Sequence, residues 1–180
     1  MEQGDEGLRD RALVIAESFR PHLERRISGW LARMGPIKDR AADTPLTKDF
    51  CVAASCGLIE ALKAGLPEVS WRIAGGPFRE QSGGMLDMAG DRKGHFWPEG
   101  ILTDGRRIIV DVTADQFGHA PLIAEYAPDP RYLNALPEDW KDEDVSSEAE
   151  RGFGRLIVED MEFADQLSPF EGKPRSISNG

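Results

Sequence analysis

The chain has 180 residues, of which 40% are hydrophobic and 30% charged, and its formal net charge is −10. That size and balance suit one globular domain whose core needs no disulfide staples. The acidity argues against sequence-independent nucleic-acid binding, because a phosphate backbone attracts basic faces. No stretch approaches the roughly 20 apolar residues of a membrane helix.

Residues 8–34 read as helical. Leu8, Leu13, Ile15 and Phe19 form one apolar set, and Leu23, Ile27, Trp30, Leu31 and Met34 form another at helical spacing. Pro21 falls between them, so a break or a kink is expected there and residues 1–35 should form a helical hairpin. Residues 36–48 read as a loop. A second helix is expected from Phe50 to Ala64, capped by Thr47 or Asp49 and closed by Gly65 and Pro67. Residues 69–74 read as a strand, and the Gly-rich segment 75–94 as a long loop. A hairpin is expected over His95–Leu102 and Arg106–Thr113, joined at Thr103-Asp104-Gly105. Residues 117–145 show no clear element. Glu138-Asp139 and Lys141-Asp142-Glu143-Asp144 read as a solvated acidic loop. Ser146 or Ser147 should cap a last helix over about 147–166. The expected organisation is a single domain over residues 1–168 and a disordered tail over 169–180.

Cys51 and Cys56 stand five residues apart on one expected helix. Their Cα atoms would lie roughly 7–9 Å apart, beyond easy disulfide reach, so both read as reduced thiols. Neither their spacing nor the three histidines, His22, His95 and His119, fit a common zinc pattern, and no cofactor is expected. His22 and His119 read as surface or loop residues.

Thiol catalysis needs an ionised sulfur, a histidine to move a proton, and a carboxylate or amide to orient that histidine. With Asp49 as cap, Cys51 would be the second helical residue. There the free N–H groups and positive end of the helix dipole favour a thiolate and can hold a developing oxyanion. Cys56 lies more than a turn further in, on the stripe with Val52 and Ile59, and reads as a small buried hydrophobe. Hairpin register decides whether His95 and Asp111 meet. A two-residue Asp104-Gly105 turn would put them on opposite faces. A three-residue loop, with Gly105 in the left-handed third position, places Asp111 across from Trp97 and His95 across from Thr113. His95 and Asp111 are then diagonal neighbours on one face. An acid within Ile108-Ile109-Val110-Asp111-Val112 is also costly unless paired. Pro98 and Gly100 mark a place for a bulge.

Three segments together resemble the papain-like and transglutaminase-like cysteine enzymes. They are Cys51-Val52-Ala53-Ala54-Ser55 with Leu58 and Leu62, His95-Phe96-Trp97, and Ile109-Val110-Asp111-Val112-Thr113-Ala114-Asp115-Gln116-Phe117. The last is similar to the "ID-x-T-x-DQF" signature of small bacterial and phage members and of some deamidating effectors. The resemblance implies an α+β fold, with the Cys-bearing helix packed on an antiparallel sheet that carries His and Asp. It implies a Cys51-His95-Asp111 triad, with Trp97 and Gln116 lining a substrate site. The activity expected is acyl transfer on a protein or peptide amide, as a peptidase, glutamine deamidase or transglutaminase. The alternative is a non-catalytic binding or inhibitor protein that keeps the fold. The acidic start, Met1-Glu2-Gln3-Gly4-Asp5-Glu6, lacks a basic-then-apolar secretory signal. A cytoplasmic protein is therefore expected, or an effector delivered to a host cell.

Overall fold

The computed structural model describes residues 3–35, 41, 43–76 and 83–167. Gln3–Met34 form one continuous helix, α1. The break expected at Pro21, and with it the hairpin expected over residues 1–35, is absent. Pro21 and Glu17, the residue whose carbonyl loses its partner, both face solvent, where water can satisfy the freed oxygen. The buried stripe Leu8, Ala12, Ala16, Phe19, Leu23 and Ile27 runs past them unbroken. Burying Phe19, Leu23 and Ile27 favours the helix by about 1.5–3 kcal/mol each. That outweighs the ~3 kcal/mol an interior proline costs. The stripe is carried by Ala12 and Ala16, which the apolar periodicity of the larger residues passes over.

Helix α2 spans Cys51–Gly65 and buries Ala54, Leu58 and Leu62. Among the described residues seven strands follow: β1 (Ser70–Gly76), β2 (Gly84–Leu86), β3 (Arg92–Lys93), β4 (His95–Ile101), β5 (Arg107–Asp111), β6 (Ile123–Tyr126) and β7 (Tyr132–Leu133). A 3-10 turn, Ala114–Phe117, lies between β5 and β6. The chain then forms the short helix α3 (Asp142–Val145) and the long helix α4 (Glu148–Leu167). Ser147 and Glu150 cap α4 reciprocally, Ser147 N–H donating to Glu150 Oε2 at 2.8 Å and Glu150 N–H to Ser147 Oγ at 3.2 Å.

The fold is α+β. One antiparallel sheet has the order β1-β4-β5-β6, and a smaller one has the order β3-β2-β7. Side chains alternate across β5. Ile108, Val110 and Val112 join the helical core, while Ile109 joins Trp97, Met85 and Tyr132 between the two sheets. The larger sheet is thus covered by helices on one face and by the small sheet on the other. Among the described residues no helix is long and apolar enough to cross a membrane.

The β4–β5 hairpin pairs Glu99 with Ile109, Gly100 with Ile108 and Ile101 with Arg107. Its loop is the three-residue one, with Gly105 at φ 85°. The β4–β5 ladder ends at Glu99, next to Pro98, which has no N–H to donate. Beyond that point the two strands are joined by side chains. The segments 75–94 and 117–145, expected as loops, hold β2 and β3, and β6, β7 and α3. These strands have two to four residues, too few to show alternation in a sequence. Nor is the acidic run all solvated: Asp142 Oδ1 accepts the N–H of Ile73 at 2.9 Å. The tail expected over 169–180 lies outside the described residues.

Candidate active site

Cys51 is the first residue of α2 and is partly exposed. Neither expected cap serves the helix. Phe50 occupies the cap position and makes no side-chain bond to it. Asp49 adopts a left-handed φ of 72°, which costs roughly 1 kcal/mol for an L-residue. Thr47 turns its hydroxyl away, to Asp115 Oδ1 at 2.6 Å. The helix therefore starts one residue later than the capping pattern implies. The first N–H groups of α2 receive no side-chain acceptor.

His95 is the first residue of β4, and its side chain has no solvent exposure. Its Nε2 lies 2.7 Å from Asp111 Oδ2, at the C-terminal end of β5. Asp111 is 1% exposed, so its charge depends on its donors. Oδ2 also accepts the Tyr132 hydroxyl at 3.0 Å. Oδ1 accepts the Thr113 N–H at 2.8 Å and the Thr113 hydroxyl at 3.1 Å. Burial would favour the neutral acid, but His95, followed by these donors, holds Asp111 below the usual carboxylate range. Burial alone would likewise lower the His95 pKa. The charge and hydrogen bond of Asp111 reverse that, and hydrogen bonding and Coulombic attraction to Cys51 add to them, so the ring is raised above the ordinary histidine value. Tyr132 is pushed up by burial and by the neighbouring carboxylate, and remains a donor.

His95 thus interacts with both Cys51 and Asp111. With Nε2 committed to Asp111, the ring's other nitrogen, Nδ1, is left for exchange. Gln116 Nε2 approaches it at 3.4 Å while donating to Thr113 O at 3.0 Å. An amide N–H can serve only the neutral ring, whereas the protonated ring offers its own Nδ1–H to an acceptor such as the sulfur. Phe117 meets the ring edge-on, with centroids 4.8 Å apart, and Trp97 lies at 5.9 Å on another side. Trp97 is 1% exposed and packed against Tyr132, so it supports the histidine from inside the wall and offers no surface to a ligand. Gln116 does reach a cleft of about 490 Å³ whose walls include Lys48, Asp49, Met88, Lys93 and Gly94. That cleft adjoins the residues flanking Cys51 and His95.

The second thiol differs. Cys56 is partly exposed, not the buried hydrophobe expected, but desolvation pushes it up to about 11, against an opposing hydrogen bond from Ser146, which favours the protonated thiol. His119 is a loop residue, as expected, and its Nε2 donates to Leu86 O at 2.6 Å, tying the small sheet to the loop after the 3-10 turn. Among the described residues, no three His, Cys, Asp or Glu side chains gather closely enough to hold a metal ion. Sequence reasoning passed over Tyr132 and Arg20, took Thr47 only as a possible helix cap, and missed the role of Asp115. Only Asp115 had a signal, its place in the motif beginning at Ile109. No family model, curated protein or solved structure matches the chain.

Proposed function

We propose that the chain is a thiol acyl-transfer enzyme of papain-like or transglutaminase-like design, acting on a protein or peptide amide through Cys51, His95 and Asp111. The observation that carries this is the fully buried His95 imidazole held by the Asp111 carboxylate at 2.7 Å, with the Cys51 thiol at the start of α2 among the groups that raise the ring's pKa. In this reading the Cys51 thiolate attacks the amide carbonyl carbon. The oxygen charge that develops is met by the unbonded N–H groups opening α2. The C–N bond breaks, and His95 Nδ1 gives its proton to the leaving ammonia or amine. A thioester remains on Cys51. Water or an amine then attacks it, His95 takes the incoming proton, and the thiolate–imidazolium pair is restored. Asp111 holds the ring orientation and the imidazolium charge throughout.

A second reading rests on the complete burial of His95, which suits a structural ion pair in a binding protein. Alkylation by iodoacetamide, mapped by mass spectrometry near neutral pH, separates the two. The enzyme reading expects Cys51 to react much faster than Cys56, and at least tenfold more slowly in His95→Ala and Asp111→Ala. Turnover of glutamine-containing peptides, followed by mass shift or ammonia release, should vanish in Cys51→Ala. Equal alkylation of wild type and His95→Ala, together with no turnover of these peptides by wild type, would leave the binding protein.

A further inference from the structure

Outside the triad, the most completely bonded charged group linking separate elements is Arg20 of α1, 8% exposed. Its Nη2 donates to Asp115 Oδ2 at 2.7 Å and its Nη1 to Asp115 Oδ1 at 3.3 Å. Nη1 also donates to the carbonyls of Val112 and, at 3.3 Å, Pro121. Nε takes Glu24 Oε1 at 2.7 Å, which fixes the guanidinium on its own helix. Asp115 accepts a third hydrogen bond, from the fully buried Thr47 hydroxyl, at 2.6 Å.

These contacts join three separate segments. Thr47 lies three residues before the helix cap, and its carbonyl accepts the N–H of Phe50 at 3.0 Å. Phe50 in turn precedes Cys51. Asp115 stands in the turn that follows Asp111, and its neighbour Gln116 reaches the His95 ring. One carboxylate therefore binds the loop that delivers the sulfur to the turn that follows the acid, and an arginine from a third element locks that carboxylate in place. The contact geometry is bidentate and charge-assisted, the kind that fixes orientation as well as distance. Asp115 itself touches neither His95 nor Cys51 by any hydrogen bond among the described residues.

We infer that Arg20, Asp115 and Thr47 form a positioning clasp that sets the Cys51 sulfur against the His95 ring. The inference rests on the thiol-enzyme reading above. Asp115 and Arg20 are positioning residues, and Thr47 is the point at which their hold reaches the cysteine loop. A displacement of about 1 Å at a reacting pair is enough to cost up to a hundredfold in rate.

The test is the pH profile of Cys51 alkylation by iodoacetamide in the full chain, with Cys56 as internal reference and thermal melting as the control for folding. Thr47→Val keeps the shape and loses the donor. It should slow Cys51 alkylation by about tenfold to a hundredfold near neutral pH and approach wild type in strong alkali, where a thiol ionises without help. Thr47→Ser keeps the hydroxyl and should restore most of the rate. Asp115→Asn keeps the shape without the charge and should also slow the reaction, so it carries the test if Thr47→Val fails to melt cooperatively. A folded Thr47→Val or Asp115→Asn with the wild-type profile overturns the clasp while leaving the triad intact. Equal rates for Thr47→Ser and Thr47→Val also overturn it. If wild type and His95→Ala react alike, the thiol-enzyme reading fails and the clasp falls with it.

Discussion

Asp111 is charged in the interior because four donors meet its two oxygens. Tyr132 is the one among them that comes from the other sheet. Replacing it by Phe keeps the ring packing against Trp97 and removes only the hydroxyl, so the carboxylate loses one of its partners. A hydrogen bond to a buried charged group contributes about 1.5–3 kcal/mol. Tyr132→Phe should lower the urea unfolding free energy by that amount, and a change below about 0.5 kcal/mol would show that water replaces the hydroxyl. The His95–Asp111 pair and the place of Cys51 at a helix start were legible from residue chemistry, since an acid among β-branched residues and a thiol at a helix start are locally odd. Tyr132 was not legible. Nothing near it in sequence marks a phenol whose partner lies 21 residues away across a sheet boundary.

At the level of elements, α2 and α4 meet through glycines. A Cβ on Gly57 would stand 2.6 Å from Gly154 O, and one on Gly154 would stand 2.5 Å from Gly57 N. Alanine at either position gains about 1 kcal/mol of helix propensity but forces backbone apart, an overpacking cost of about 1–3 kcal/mol or more. Both variants should be destabilised. Gly152, on the same helix, has open space around its Cβ position, and Gly152→Ala should stabilise by up to about 1 kcal/mol. Denaturant titration of the three variants checks the contrast, and a stabilised Gly57→Ala would refute the close crossing. α2 and α4 were readable from apolar spacing and, for α4, from a serine at its start. Their crossing was not, because a glycine in a helix looks the same whether it faces water or a second backbone. The hairpin register was readable because Gly105 satisfies a local rule about left-handed loop positions.

For the molecule as a whole, the buried pair makes stability depend on pH in a defined way. In the unfolded chain His95 titrates near about 6.5 and Asp111 near about 3.9. The folded His95 value is raised and the folded Asp111 value is lowered. The histidine's contribution is full below about 6.5 and is lost as pH rises through its raised folded value. The aspartate's contribution is full above about 3.9 and is lost as pH falls through its depressed folded value. The pair should therefore stabilise the fold most between about pH 4 and 6.5. Urea unfolding of wild type and His95→Gln across and beyond this window should show the largest difference inside it. A difference independent of pH would mean that the pair is not ionic.

The sequence by itself determined the local matters: where α2, α4 and the main hairpin form, which face of β5 carries the acid, and which thiol opens a helix. Each depends on residues within a few positions of one another. Tertiary structure decided that α1 continues as one helix through Pro21, because a buried stripe outweighs one lost hydrogen bond. It also decided that Trp97 lies inside the wall, that Tyr132 and Thr113 complete the carboxylate's shell, and that Arg20 reaches Asp115. Those outcomes depend on which distant surfaces are brought into contact and on burial making each polar pairing obligatory, and local spacing encodes neither.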